Sequence, residues 1–330
     1  MQTDLAPIVL FVYNRPWHAR QTLEALSKNL LADKSKLFIY ADGPKENTTK
    51  EQLVKIKEVK KLISEKQWCA EVQIVEREKN LGLGNSVIAG VTEIVNKFGK
   101  IIVLEDDLIT SVGFLKYMND ALNFYENEER VMHVSGYMFP VKNAEEIPET
   151  FFLNLTSCWG WGTWARAWGT ADFNSMHLLD KIGNSERISE FVIDNSTGFY
   201  SLLQQNAVLE QKNKTSIEII RNDSKWNWDI CWYATVFLQE GLCLHPRLSL
   251  VRNIGHDNQG VHCKSGWWSR IYNQQKITDY ITVQPIELKK NVEASKAVES
   301  FYKKLAHPPL WVRAKEKFKL VFNSINTFNL

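Results

Sequence analysis

No stretch of this 330-residue chain approaches the roughly 20 apolar residues that a membrane-spanning helix needs. The five cysteines, at positions 69, 158, 231, 243 and 263, are scattered and odd in number. With no Cys-x-x-Cys pair among them, neither a disulfide framework nor a zinc site is indicated. No Gly-x-Gly-x-x-Gly motif is present, which excludes the usual nicotinamide or flavin fingerprint. Gly82 and Gly84, with Asn80 before them, follow a charged turn and fit a helix start better. Internal repeats and low-complexity segments are absent as well. Residues 1–6 lack the basic and apolar regions of a signal peptide, so the expected location is the cytoplasm. Strong charge of one sign is also missing: the formal net charge is +2. Residues 289–330 carry nine Lys or Arg against three Glu, which leaves the preceding body slightly acidic and argues against nucleic acid as a partner.

What is present is an alternation of strand and helix signals over the first hundred residues. Pro7–Tyr13, Lys36–Ala41, Val72–Val75 and Lys100–Leu104 are apolar runs of strand type, and helical patterns near 23–30, 48–66 and 83–95 separate them. Such alternation predicts an α/β fold with a doubly wound, mostly parallel sheet. Further helices are expected at 111–127, 198–212 and 226–239, with a short strand at Val131–Val134. The chain divides by this reading into a nucleotide-type half (1–108), a Trp-rich, pocket-building half (109–285) and a basic tail (286–330).

Four constellations carry chemistry. The triplet Glu105-Asp106-Asp107 ends the fourth strand, at the sheet edge where open α/β folds bind ligands. Adjacent carboxylates repel, so the triplet implies a compensating cation; a solvated acidic turn is the plain alternative. On the same edge, Tyr13, Asn14 and Arg15 lead into a helix start that favours anions, where Arg15 could pair with a phosphate or sit on the surface. Asp42 ends the second strand and could meet a base or ribose, or cap its turn. The second constellation is Trp226–Tyr233. Helical spacing places Trp226, Trp232 and Tyr233 on the face of Asp229, a desolvated setting suited to a general base. A helix-terminal Asp beside core tryptophans is the other reading. Third, Cys158–Trp168 holds four tryptophans in ten residues, a ligand wall or a core stripe. Fourth, Gly255–Cys263 is a polar loop with lid character, containing His256 and His262.

Taken in order, these segments resemble a GT-A glycosyltransferase, and within it the inverting N-acetylglucosaminyltransferase I-like group. The resemblance rests on Pro7–Arg15, Phe38–Asp42, Val103–Leu108 with Phe114, the Trp-Gly-Trp segment, and Trp228-Asp229 before Trp232, across residues 5–265. It implies that Asp107 ligates Mn²⁺ or Mg²⁺ on the donor diphosphate, that Asp106 faces the ribose and Glu105 the donor sugar. It implies nucleotide contacts for Arg15 and Asp42, with Tyr13, Asn14 and Asn80 on the donor edge, and Asp229 as catalytic base. Trp159, Trp161, Trp228 and Trp232 would wall the sugar or acceptor. The activity implied is transfer of a sugar, with GlcNAc expected, from a UDP-sugar to a glycan or lipid-linked saccharide in surface polysaccharide synthesis. A nucleotidyltransferase would need a Gly-rich phosphate loop that Tyr13–Pro16 does not supply. A non-catalytic, Trp-rich carbohydrate-binding protein would leave the acidic triplet idle. From Leu310 to Phe328 an apolar helical stripe flanked by Lys and Arg suits either a peripheral helix at the inner face of an anionic membrane or one packed on the body.

Overall fold

The computed structural model describes residues 4–212, 225–257, 268–273 and 275–307. Its first part alternates as the sequence predicts: β1 (Ile8–Val12), α1 (Pro16–Ser27), β2 (Lys36–Ala41), α2 (Lys50–Ile63), β3 (Glu71–Glu76), α3 (Gly82–Phe98) and β4 (Lys100–Glu105). Local chemistry explains the boundaries. Pro16 opens α1, a position where its missing N–H costs nothing. Thr49 and Gln52 form a reciprocal capping box on α2, and Gly99 closes α3 in the left-handed region.

The second part begins with β5 (Leu108–Thr110), α4 (Phe114–Phe124), β6 (Val131–Ser135), β7 (Thr150–Leu153) and β8 (Trp161–Trp164). Short helices α5 (Ala165–Trp168), α6 (Ser175–Gly183) and α7 (Ile188–Phe191) follow, then α8 (Phe199–Lys212) and α9 (Trp228–Leu238). The chain continues through β9 (Leu242–Pro246), β10 (Val251–Asn253), α10 (Ser269–Asn273) and α11 (Val292–Ala306). Among the described residues, no helix is long and apolar enough to cross a membrane.

One eight-stranded sheet, in the order β3-β2-β1-β4-β8-β6-β9-β7, runs through both parts. The first four strands in that order are mutually parallel, as are β6 and β9. β8 lies antiparallel between β4 and β6, and β7 is an antiparallel edge. The fold is thus mixed α/β with a large, mostly parallel sheet. β1 shows why its strands read as unbroken apolar runs: Ile8, Leu10 and Val12 feed a core with α1, α2 and α4, while Val9 and Phe11 feed another with α3 and α9.

The reversed strand sets up the site. Val103 of β4 lies opposite Trp161 of β8, so Cys158 and Trp159, which precede β8, fall beside the end of β4. Gly160 makes this arrival with φ 69°, a conformation that suits glycine. Ser135 of β6 also lies opposite Trp161, so Tyr137 leaves β6 at that same edge. A separate two-stranded ribbon pairs β5 with β10 and brings residues 253–257 against the acidic turn.

Residues 292–306, grouped with the tail, form a helix packed on the body: Ala294, Val298 and Phe301 are buried, and the Asn291 N–H bonds to the Phe152 carbonyl at 2.8 Å. The stripe from Leu310 lies outside the described residues.

Candidate active site at the carboxyl edge of the sheet

A cavity of about 290 Å³ opens at this edge, and Glu105, Asp107 and Asp229 all line it, with Trp159 and Trp228. They arrive from β4, from the turn after it, and from the first turn of α9, where the helix dipole favours a carboxylate. Asp229 is exposed to the cavity, so the desolvation expected from its aromatic neighbours is not found. Trp226, Trp228 and Tyr233 line the same cavity.

The acidic turn is tightly held. The Thr22 hydroxyl donates to the Asp106 carbonyl at 2.8 Å and accepts from the Leu108 N–H at 3.1 Å. The Ile254 N–H reaches the Asp107 carbonyl at 2.9 Å. Gly255 lets this happen: a Cβ there would sit 2.2 Å from Asp107 Oδ2. Behind the cavity, Arg15 donates from Nη1 to Asp107 Oδ2 at 2.8 Å and pairs through Nε and Nη2 with Asp106. Arg15 was expected to meet a phosphate; it is instead the built-in counter-charge of two carboxylates. Burial would lower its pKa, yet Asp106 and Asp107 raise it above the ordinary value. Burial pushes the Asp106 carboxyl up despite Arg15. Glu105 has no such direct partner among the described residues. Burial, reinforced by Asp107 and opposed by Arg15, pushes its carboxyl up to about 8.

Asp42 and Asn80 form a different cluster. The buried Asp42 carboxylate accepts from the N–H groups of Gly43 and Leu81 at 2.9 Å, of Gly82 at 3.0 Å, and from Asn80 Nδ2 at 2.9 Å. Four donors from its own chain occupy it, so it clamps β2 to the start of α3, the turn-capping alternative named above. Tyr13 lies by Thr48, Lys45 and Asp42, and burial raises its phenol. Asn14 is half-buried in the same turn. None of these five donor-edge residues, Arg15 included, lines the cavity.

Trp161 and Trp232 depart from the wall expected of them, for they are 1% and 0% exposed and belong to the core. Trp228 stacks on Trp161 at 5.7 Å, so the pair support the wall from behind. Trp232 Nε1 donates to His133 Nδ1 at 3.2 Å, and His133 Nε2 donates to the Ser157 carbonyl at 3.1 Å. His245 Nε2 likewise donates to the Leu155 carbonyl at 2.8 Å. Two neutral histidines thereby fix the 155–157 segment that lines the cavity. Burial pushes His133 down to about 3 and His245 to about 4. His256 is buried against Trp159, Trp268 and Tyr272, with ring separations of 5.5, 5.1 and 5.0 Å. His262 lies outside the described residues.

Sequence reasoning missed Tyr137, Tyr272 and Tyr302, which also line the cavity. Isolated tyrosines carry no motif, and only the fold brings them together. For a divalent cation, the donor set is suitable: Asp107 and Glu105 present hard oxygens on one cavity. Among the described residues no group of three His, Cys, Asp or Glu could cage an ion alone. A cation held by Asp107 and Glu105 would take its remaining ligands from the phosphates of a bound molecule and from water, the usual habit of Mg²⁺.

No family model matches the chain, and no curated protein matches it either. Among solved structures it is similar to Staphylococcus aureus TarS, at 14% identity and a TM-score of 0.37, over 71% of this chain and 55% of that one. It is also similar to mouse xyloside xylosyltransferase 1 in its apo form, at 13% identity and a TM-score of 0.33, over 72% of this chain and 82% of that one. The chain thus matches little more than half the length of TarS.

Proposed function

We propose that this chain is an inverting, cation-dependent glycosyltransferase. In this reading it moves a sugar, with GlcNAc the leading candidate, from a UDP-sugar to a hydroxyl of a glycan or lipid-linked saccharide. The observation that carries the reading is the convergence of Glu105, Asp107 and Asp229, from two distant parts of the chain, on one aromatic-walled cavity. Direct displacement at a sugar carbon needs one base for the acceptor and neutralisation of the leaving diphosphate, and carboxylates from both parts of the chain are available here for these tasks.

Asp107, with Glu105 beside it, would hold Mn²⁺ or Mg²⁺. When bound, that cation supplies Lewis-acid neutralisation of the departing diphosphate. Asp229 takes the proton of the acceptor hydroxyl as its oxygen bonds to the anomeric carbon. The bond from that carbon to the diphosphate oxygen breaks, and the electron pair leaves with UDP. One displacement inverts the configuration, and a base so placed is worth about 10²–10⁴ in rate. Arg15 keeps the Asp107 carboxylate oriented, and the part-exposed Trp159 offers a face on which a sugar ring stacks.

Release of UDP from UDP-sugars, assayed with Mn²⁺ and with EDTA, tests the reading. Cation-dependent release is expected; a chain that binds no UDP-sugar under either condition would overturn it. Peripheral contact of the tail with an anionic, cytoplasm-facing membrane surface belongs to the same proposal. Co-sedimentation of the full chain with anionic vesicles, compared with a chain ending at Pro309, checks that part.

A further inference from the structure

The aromatic rings that line the cavity differ in exposure, and the difference divides it in two. Tyr137, Phe139 and Tyr233 are buried, whereas Trp159, Tyr272, Phe199 and Tyr302 each keep part of their surface open. The open rings form two pairs. Trp159 and Tyr272 lie 5.3 Å apart, and Phe199 and Tyr302 lie 5.8 Å apart. Two buried rings join the pairs, with Trp159 meeting Tyr137 at 4.6 Å, Tyr137 meeting Phe139 at 5.3 Å, and Phe139 meeting Tyr302 at 5.2 Å. Tilted and edge-to-face contacts of this kind hold the open rings in fixed planes.

The pairs stand in different relations to the carboxylates. Trp159 belongs with the acidic turn. It precedes β8 beside the end of β4, and it meets His256 at 5.5 Å, next to the Gly255 backbone that abuts Asp107. Phe199 opens α8, Tyr302 lies near the end of α11, and Phe199 meets Tyr233 of α9 at 5.2 Å. Asp229, in the first turn of α9, is within electrostatic reach of both sides. Burial is the main cause that raises the Tyr302 phenol, and Asp229 adds to it after two neighbouring tyrosines; Asp229 also adds to the rise at Glu105. A single displacement brings two sugars together, the donor's beside the cation and the acceptor's beside the base. Ligand sites are commonly walled by aromatic side chains, whose faces suit the C–H faces of a pyranose. We propose that Phe199 and Tyr302 form the acceptor platform, on which a pyranose of the acceptor stacks, while Trp159 and Tyr272 meet the sugar of the donor. This rests on the glycosyl-transfer reading above and adds the residues that divide donor sugar from acceptor.

The test uses the full chain with Mn²⁺ and three probes: UDP and UDP-GlcNAc by calorimetry, and methyl β-glucopyranoside by saturation-transfer NMR with UDP present. Tyr302→Leu and Phe199→Leu should each weaken the glucoside about tenfold, the scale of one lost ring contact, and leave UDP-GlcNAc affinity at the parent value. Trp159→Leu should do the reverse, lowering the affinity for UDP-GlcNAc toward that for UDP. Tyr302→Phe keeps the ring and should keep glucoside binding, and melting temperatures show that each variant is folded. Unchanged glucoside affinity in both Tyr302→Leu and Phe199→Leu overturns the platform, as does an equal loss of UDP-GlcNAc affinity in them. If UDP-GlcNAc binds the parent chain and the glucoside does not, the acceptor assignment fails while the donor reading stands. If the glucoside binds through Tyr302 but neither UDP nor UDP-GlcNAc binds, the platform stands and the glycosyl-transfer reading falls.

Discussion

Arg15 Nη1 lies 2.8 Å from Asp107 Oδ2, joining the start of α1 to the turn that ends β4. The same guanidinium bonds Asp106, so one cation keeps two buried carboxylates in place. Removing one partner of such a group leaves charge buried without compensation, which costs about 3–5 kcal/mol.

Arg15→Gln should therefore be strongly destabilising, by about 3 kcal/mol in chemical denaturation. Adding Asp106→Asn, which removes a charge that Arg15 no longer offsets, should restore much of the loss. Equal stability of Arg15→Gln and the parent chain would show that the carboxylates are compensated by something else.

Gly255→Ala places a methyl where Asp107 Oδ2 now sits, since the added Cβ would lie 2.2 Å from it. The Asp107 carboxylate or the loop has to shift. Mn²⁺-dependent UDP affinity, read by calorimetry, should fall at least tenfold and approach that of Asp107→Ala. Unchanged affinity in both variants would separate Asp107 from cation binding.

Asp229→Asn keeps the shape of the cavity and removes the proton acceptor of the proposed transfer. UDP binding should persist, and sugar transfer should drop about 10²–10⁴-fold. Turnover at the parent rate would require a different base.

Acid should unfold the protein through two histidines. His133 and His245 are held neutral by burial, near 3 and 4. In the unfolded chain a histidine titrates near 6.5. Below that pH the unfolded state binds protons that the folded state does not, so stability falls as pH falls, by about 1.4 kcal/mol per pH unit for each histidine. Protonated His133 could no longer accept from Trp232 Nε1. His133→Gln should flatten the decline of melting temperature between pH 6.5 and 4.5, even though it lowers stability at pH 7.5. A decline of equal slope in the variant would place the acid sensitivity elsewhere.

Of the first four strands, β1, β2 and β4 were readable because they are buried on both faces and so appear as apolar runs, whereas β3 is a half-exposed edge that showed only as Val72–Val75. The acidic triplet was readable because it ends one of them. Roles were harder. Arg15 resembled a phosphate ligand because nothing local shows that it folds onto residues from the fourth strand. Trp161 and Trp232 looked like ligand walls because a core tryptophan and a sugar-binding one are the same letter; only burial separates them. β8 escaped notice, since Trp-Gly-Thr-Trp is short and its pairing with β4 and β6 is set wholly by tertiary structure. The tyrosines of the cavity sit far apart in sequence, and Tyr302 lies on a helix grouped with the tail.

The acidic turn is tied from both directions, by Thr22 from early in the chain and by Ile254 from late in it. Long-range ties of this kind form slowly, because much of the polypeptide must collapse before they are rewarded. A ribosome that has released only the first half would present the carboxylates with Arg15 but without the ribbon or Asp229. On the proposed reading, catalytic competence should thus be among the last properties gained in biogenesis, and separately made halves should be inert until they reassociate.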